Sequence, residues 1–128
     1  ASIAQEAKLA ARDDLRAPEL SFLLGLDDAA FRGFFSGSPV KRIGRDRFVR
    51  NVLVATGNSG EAALAPACTA LLADPSPLVR GAAVWALSRL LPARDFAALA
   101  ARGRDEADAT VTEEWRLALA GAKEGHAA

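Results

Sequence analysis

The sequence has few of the residues from which most metal and redox sites are built. Among 128 residues there is one cysteine, one histidine and no methionine. Disulfide frameworks, zinc sites and iron–sulfur clusters each require several cysteine or histidine ligands. Cys68 is therefore predicted to be a small core side chain in an alanine-rich helix, and His126, near the C-terminus, is not expected to be catalytic. The missing initiator methionine indicates a processed product or a piece of a longer chain.

Long hydrophobic runs are also lacking. The longest apolar stretch, residues 62–73, is too short to cross a bilayer and contains Pro66. The first residues are too polar for the core of a signal peptide. These absences predict a soluble protein in a reducing, cytoplasmic setting, with no membrane partner. The formal net charge is zero, which excludes a uniformly basic or acidic surface but not a local patch.

The short motifs of common enzymes are missing as well. There is no Gly-x-Gly-x-x-Gly, no Walker loop and no His-Glu-x-x-His. The acidic pairs at 27–28 and 113–114 fall at predicted helix starts, where the helix dipole favours carboxylates. Because no residue is placed as a tuned general acid or base, we expect no catalytic site in this chain.

Helix signals are frequent, whereas the alternation typical of strands does not occur. A capping box at 2–5 predicts a short first helix, and Pro18 and Gly25 bound a second. Asp27 is predicted to cap a third helix, and the Ser-Gly-Ser-Pro break at 36–39 ends it. The length suits a single α-helical domain spanning residues 1–128.

An internal repeat appears beyond Gly44. Residues 48–55 match 78–85 at an offset of 30, and 112–119 form a weaker third copy. A period near 30 built from helix pairs is typical of a solenoid, because one helical hairpin cannot bury its apolar side alone. The sequence therefore predicts an all-α, short α-solenoid at 46–121, preceded by a helical lead-in at 1–45.

The most specific copy is Asp-Pro-Ser-Pro-Leu-Val-Arg at 74–80, which resembles the HEAT-like repeat. That resemblance implies structural roles for Asp74 and Arg80, in a hydrogen-bonded ladder between adjacent turns. The stretch 78–91 is apolar nearly all round, as expected of a central helix. Helices are predicted at 46–56, 62–73 and 78–91, and from a capping box at 110–113 to Gly121.

Positive charge is concentrated in residues 41–50, called the basic segment below. Asn51 follows directly and falls on the same helix side as two of the arginines, opposite Phe48. Basic side chains at a helix start suit a phosphate, and several such contacts hold a nucleic-acid backbone. Phe48 is predicted to point inward, so base stacking is not expected. The candidate phosphate contacts are Lys41, Arg42, Arg45, Arg47, Arg50 and Asn51.

A solvated surface without a ligand is the alternative interpretation of this segment. Arginine outnumbers lysine by thirteen to three along the whole chain, so arginine-rich patches arise from composition alone. A HEAT-like protein-interaction module is therefore a second functional hypothesis, and a bilin-lyase-like helical protein is a third.

Residues 37–60 contain Lys-Arg-x-Gly-Arg followed by Arg-Asn, and they resemble the C-terminal part of epoxyqueuosine reductase. The resemblance extends over roughly residues 15–91. In that family an N-terminal domain binds cobalamin, a ferredoxin-like segment binds two 4Fe–4S clusters through cysteines, and a helical repeat domain follows. The family reduces epoxyqueuosine to queuosine in tRNA.

This chain departs from the family pattern because it lacks the catalytic domain and the cluster cysteines. The resemblance implies a tRNA-contacting C-terminal piece of such an oxidoreductase, with no cofactor of its own. Its partners would be tRNA and the missing catalytic and ferredoxin-like domains.

Overall fold

A computed structural model of the protein describes residues 17–102 and 105–127, with side chains described as far as Gly121. Within these ranges the regular structure is entirely helical, as predicted. The helix predicted from the capping box at 2–5 and the side chain of His126 lie outside the described residues. The helices are α1 (Ala17–Leu24), α2 (Asp28–Phe34), α3 (Arg45–Ser59), α4 (Ala65–Ala70), α5 (Pro77–Leu90), α6 (Ala93–Arg102) and α7 (Ala109–Ala127), with 3-10 turns at Pro39–Ile43, Ala62–Leu64 and Leu71–Ala73.

Local sequence sets the helix boundaries. The Asp27 carboxylate accepts a hydrogen bond from the backbone N–H of Ala30 at 2.8 Å, which confirms Asp27 as the cap of α2. Ser76 caps α5 ahead of Pro77, a residue suited to the first helical turn. Gly60 ends α3 in the left-handed conformation (φ +70°) that glycine adopts without strain.

The helices form two layers. α3, α5 and α7 pack side by side in one layer, and α1, α4 and α6 cover them. α5 lies in the middle of the first layer, and Val84 and Leu87 on it are fully buried. Its nearly continuous apolar surface is therefore explained by neighbours on both sides, as the sequence predicted.

The core also fixes the N-terminal end of α3, where the basic segment lies. Phe48 is buried between Phe31 and Phe35, with ring centroids 5.4 and 4.9 Å away. Such tilted and edge-on contacts are favourable aromatic geometries. Phe48 thus anchors α3 against α2, and the polar side chains that flank it are directed to the other side of the helix.

Three features of the C-terminal part differ from expectation. α6 was not predicted, because it contains few large apolar residues; its buried Phe96 stacks on Trp115 with centroids 5.4 Å apart. The predicted capping box at 110–113 is wrong, since the Asp108 carboxylate caps α7 by accepting from the N–H groups of Thr110 and Val111. α7 also continues through Gly121, which a helix tolerates at a cost of about 1 kcal/mol.

Cys68 is fully buried, which confirms its predicted place in the core. Burial raises the pKa of its thiol to about 12, so the side chain is an inert apolar group at neutral pH. In the part of the chain that the structure describes, no helix has the length and apolarity needed to cross a membrane.

Candidate nucleic-acid interface

The basic segment begins in a tight turn. Lys41 and Arg42 lie in the 3-10 turn Pro39–Ile43, and both side chains are exposed. Gly37 and Gly44 flank the turn with φ of +78° and +84°, a region that other residues rarely adopt. These two glycines let the chain fold back sharply, so that the turn presents both cations next to the start of α3.

The segment continues along one side of α3. Arg47 is exposed, while Arg50 and Asn51 are half-buried, and the Nε of Arg50 donates to the Asn51 Oδ1 at 2.9 Å. Together with Val54 and Asn58 they form a solvent-facing row, called the outer strip of α3 below. The predicted grouping of Arg47, Arg50 and Asn51 opposite Phe48 is confirmed.

Arg45 is different, and its predicted exposure alongside the other cations is wrong. Its guanidinium binds both carboxylate oxygens of Asp74, Nη2 to Oδ1 at 2.8 Å and Nη1 to Oδ2 at 3.0 Å. Its Nε donates to the backbone oxygen of Leu26 at 2.8 Å. Only 11% of the Arg45 side chain and 6% of the Asp74 side chain are exposed. Arg45 therefore connects α3 to the turn before α5 and is not available to a phosphate.

A second ion pair repeats this arrangement one helix later. Arg80 on α5 binds Glu106 in the turn before α7, Nε to Oε1 at 2.8 Å and Nη2 to Oε2 at 3.0 Å. Its Nη1 also donates to the backbone oxygen of Asp74 at 2.9 Å. The predicted structural roles of Asp74 and Arg80 are confirmed, and the rungs of the ladder join successive repeats.

The offset-30 alignment misled sequence reasoning about this ladder. It placed Arg50 opposite Arg80, whereas Arg45 makes the equivalent bridge from α3. Glu106 was missed entirely, although an acidic residue just before the last repeat helix could have indicated it. The pairing depends on side-chain reach between helices, which repeat spacing alone does not specify.

The Arg45–Asp74 pair stays ionised despite its burial. Burial raises the pKa of the Asp74 carboxyl, but hydrogen bonds from Arg45 and from the Ser76 N–H outweigh it, and the pKa is lowered overall. The hydrogen bond to Asp74 likewise raises the pKa of Arg45. Both charges are therefore used inside the fold, in contrast to those of Lys41, Arg42 and Arg47.

The described residues offer no donor set for the cofactors that the family resemblance implies elsewhere. No group of three or more cysteine, histidine or acidic side chains within them is arranged to hold a metal ion. The single cysteine is buried in the core. These residues do not fit an iron–sulfur cluster, and no redox step is assigned to them.

Comparison with known families accounts for the layered helix pairs. A family model described as HEAT repeats matches residues 46–120. The chain belongs to the HEAT repeat family. The stacked helix hairpins, joined by ion pairs between successive repeats, agree with this family.

Two curated relatives carry the same name. The chain is 39% identical over 87 residues to an epoxyqueuosine reductase of Alicycliphilus denitrificans, covering 62% of this chain and 24% of the relative. It is 38% identical over 80 residues to that of Xanthomonas campestris pv. campestris, covering 62% and 22%. The chain thus spans about a quarter of the length of the curated relatives it matches.

A solved structure has the same fold. It is a crystal structure of epoxyqueuosine reductase with a tRNA-Tyr epoxyqueuosine-modified tRNA stem loop, and it matches 81% of this chain and 28% of its own with a TM-score of 0.75. The two sequences are 24% identical. This similarity confirms the all-α solenoid, and the resemblance to epoxyqueuosine reductases first noted at 37–60 is confirmed by the relatives.

Proposed function

We propose that this chain is the tRNA-contacting HEAT-repeat part of an epoxyqueuosine reductase. One observation carries the proposal: Lys41, Arg42 and Arg47 are exposed together at the start of α3, next to half-buried Arg50. Arginine and lysine side chains so placed suit the oxygens of successive phosphates. The solved structure that shares this fold is of an epoxyqueuosine reductase with a tRNA stem loop, which supports an RNA substrate.

The turn and the helix have different parts in this proposal. Lys41 and Arg42 contact one stretch of backbone, and Arg47, Arg50 and Asn51 contact the next. Gly44 gives α3 no side-chain cap, so the first N–H groups of the helix add to the favourable field for an anion. Arg45 acts indirectly, because its bonds to Asp74 and to the Leu26 carbonyl oxygen hold the turn beside the repeats.

The chemistry of the whole enzyme belongs to parts of the protein other than the residues described. Reduction of epoxyqueuosine in tRNA, with cobalamin and two 4Fe–4S clusters, is part of the proposal for the complete protein, as is a cytoplasmic setting. The HEAT repeats serve as a rigid platform that orients the RNA toward those domains.

Binding of an RNA stem loop at several salt concentrations tests the proposal. Each lost phosphate contact should reduce the slope of log K against log salt by about one unit and weaken binding to all sequences alike. The variants are single alanine substitutions of Lys41, Arg42, Arg47 and Arg50. Arg94→Ala on α6, in the other layer, is the matched control. Unchanged affinity and slope in all four would leave the segment as a solvated surface.

A protein-interaction module is the second candidate. The exposed fractions of Val54 and Leu78, 40% and 42%, favour it, because large apolar side chains at a surface suit a protein partner. A module of this kind should not bind the stem loop through Lys41, Arg42, Arg47 and Arg50, so the same titration separates the two functions.

A further inference from the structure

A groove runs across the solvent-facing side of the α3–α5–α7 layer, next to the basic segment. It is lined by residues of all three helices, and it is called the outer groove below. Arg50 and Val54 contribute from the outer strip of α3, and Glu114 contributes from α7. Leu78 and Trp85 lie on α5, seven residues apart, and so share one side of that helix.

The Trp85 indole is fixed in this groove by its neighbours. A Cβ added to Gly57 on α3 would lie 2.5 Å from the ring atom Cζ3, so the absence of a side chain at Gly57 is what admits the ring. The guanidinium carbon of Arg89, one turn further along α5, lies 5.8 Å from the ring centroid. That is a cation–π contact, which orients the Arg89 cation at the surface without neutralising it.

Arg50 is oriented in a comparable way. Its Nε is held by the amide oxygen of Asn51, a neutral partner, and the side chain reaches the outer groove. The groove therefore has one guanidinium held by an amide, and a second guanidinium lies beside it, over the indole of the lining residue Trp85. Glu114 is its carboxylate, at the α7 side.

We infer that the outer groove is a second RNA-binding element, in which Arg50 and Arg89 bind phosphates and Trp85 packs against the sugar–phosphate backbone between them. The inference rests on the proposed function and extends its surface from the turn at 39–43 across to α5. It assigns contacts to Arg89 and Trp85, two residues that the basic segment does not contain.

Charge complementarity selects RNA as the occupant. The described lining residues include the cation of Arg50 and the carboxylate of Glu114. The exposed guanidinium of Arg89, held over the Trp85 ring, adds a second positive charge beside the groove. Neither Arg50 nor Arg89 forms a salt bridge with a described carboxylate, unlike Arg45 and Arg80. Guanidiniums that are oriented but not neutralised lose little side-chain entropy when they bind a phosphate.

A series of charge changes tests the groove with a tRNA-Tyr stem loop and the 128-residue chain. Arg89→Gln should weaken binding several-fold and reduce the salt slope by about one unit. Glu114→Gln should strengthen binding, because it removes a negative charge beside the RNA. Arg94→Gln, on α6 in the other layer, removes the same positive charge as Arg89→Gln. It should leave both the affinity and the salt slope unchanged. An unchanged slope in Arg89→Gln, or weaker binding in Glu114→Gln, would overturn the inference.

Intrinsic fluorescence gives an independent measurement. The chain has two tryptophans, so Trp115→Phe leaves Trp85 as the only indole emitter. The emission of this variant should change on titration with the stem loop and saturate with the Kd measured by direct binding. If Trp115→Phe is poorly folded, Trp85→Phe should abolish the change seen in the unaltered chain. Unchanged Trp85 emission at saturating RNA would contradict the inference.

The same variants distinguish RNA binding by the outer groove from RNA binding by the basic segment. Binding that weakens in Lys41→Ala and Arg42→Ala but is insensitive to Arg89→Gln would retain the basic segment and reject the outer groove. Stem-loop binding that none of these substitutions changes, or no binding at low salt, would reject both.

Discussion

Arg45 and Arg47 lie two residues apart in the same basic segment, yet their surroundings are opposite. The Arg45 guanidinium is clamped between Asp74 and the Leu26 backbone oxygen, whereas the Arg47 side chain is exposed. A carboxylate that binds two guanidinium nitrogens leaves little positive potential for a ligand, so the same residue type serves the fold at one position and the solvent-facing surface at the next. Each cation of a basic cluster in a repeat protein therefore needs to be checked for a carboxylate partner within the fold before it is assigned to a ligand.

The largest effect is expected when the buried ion pair between Arg45 and Asp74 is broken. Asp74→Ala leaves the Arg45 guanidinium buried without its carboxylate and should lower the free energy of unfolding by about 2–4 kcal/mol. Denaturant unfolding measures the change. Asp46→Asn is the control, since Asp46 also contacts Arg45 but is exposed, and it should change stability by less than about 0.5 kcal/mol. Equal effects of the two substitutions would contradict a structural role specific to Asp74.

Gly57→Ala should have the next largest effect. The new methyl group would collide with the Trp85 ring, and overpacking of this kind costs about 1–3 kcal/mol. Gly33→Ala is the matched control in α2, because a Cβ there meets no atom within 4 Å and alanine favours the helix. Thermal unfolding should show a loss for the first and a small gain for the second. A neutral Gly57→Ala would mean that Trp85 is not held in the position described.

Acid should remove part of the stability that the ladder supplies. The folded-state pKa of Asp74 lies below its ordinary value of about 3.9, so this stabilisation is complete above about pH 4 and is lost as the pH falls through the folded pKa. The unfolding free energy of the unaltered chain should therefore fall more steeply below about pH 4 than that of Asp74→Asn. Chemical denaturation from about pH 3 to about pH 6 tests this difference in slope. Parallel curves would contradict the assignment.

Sequence reasoning predicted the fold well because helix caps and apolar periodicity are local signals. Asp27 and the apolar stretch at 78–91 each gave a helix where one is found. It failed at Arg45, whose partner is 29 residues away, and at Glu106, because such pairs depend on how two helices stack. The outer groove was missed for the same reason, since Gly57 and Trp85 meet only after α3 packs on α5.

Neighbouring arginines of the basic segment have separate roles, and one pair of variants distinguishes these roles. Arg47→Gln and Arg45→Gln are each measured for unfolding free energy and for the salt slope of stem-loop binding. Arg47→Gln should reduce the slope by about one unit and leave stability within about 0.5 kcal/mol, while Arg45→Gln should lower stability and, where folded, keep the slope. A reduced slope in Arg45→Gln with unchanged stability, or an unchanged slope in Arg47→Gln, would contradict separate roles for the two arginines.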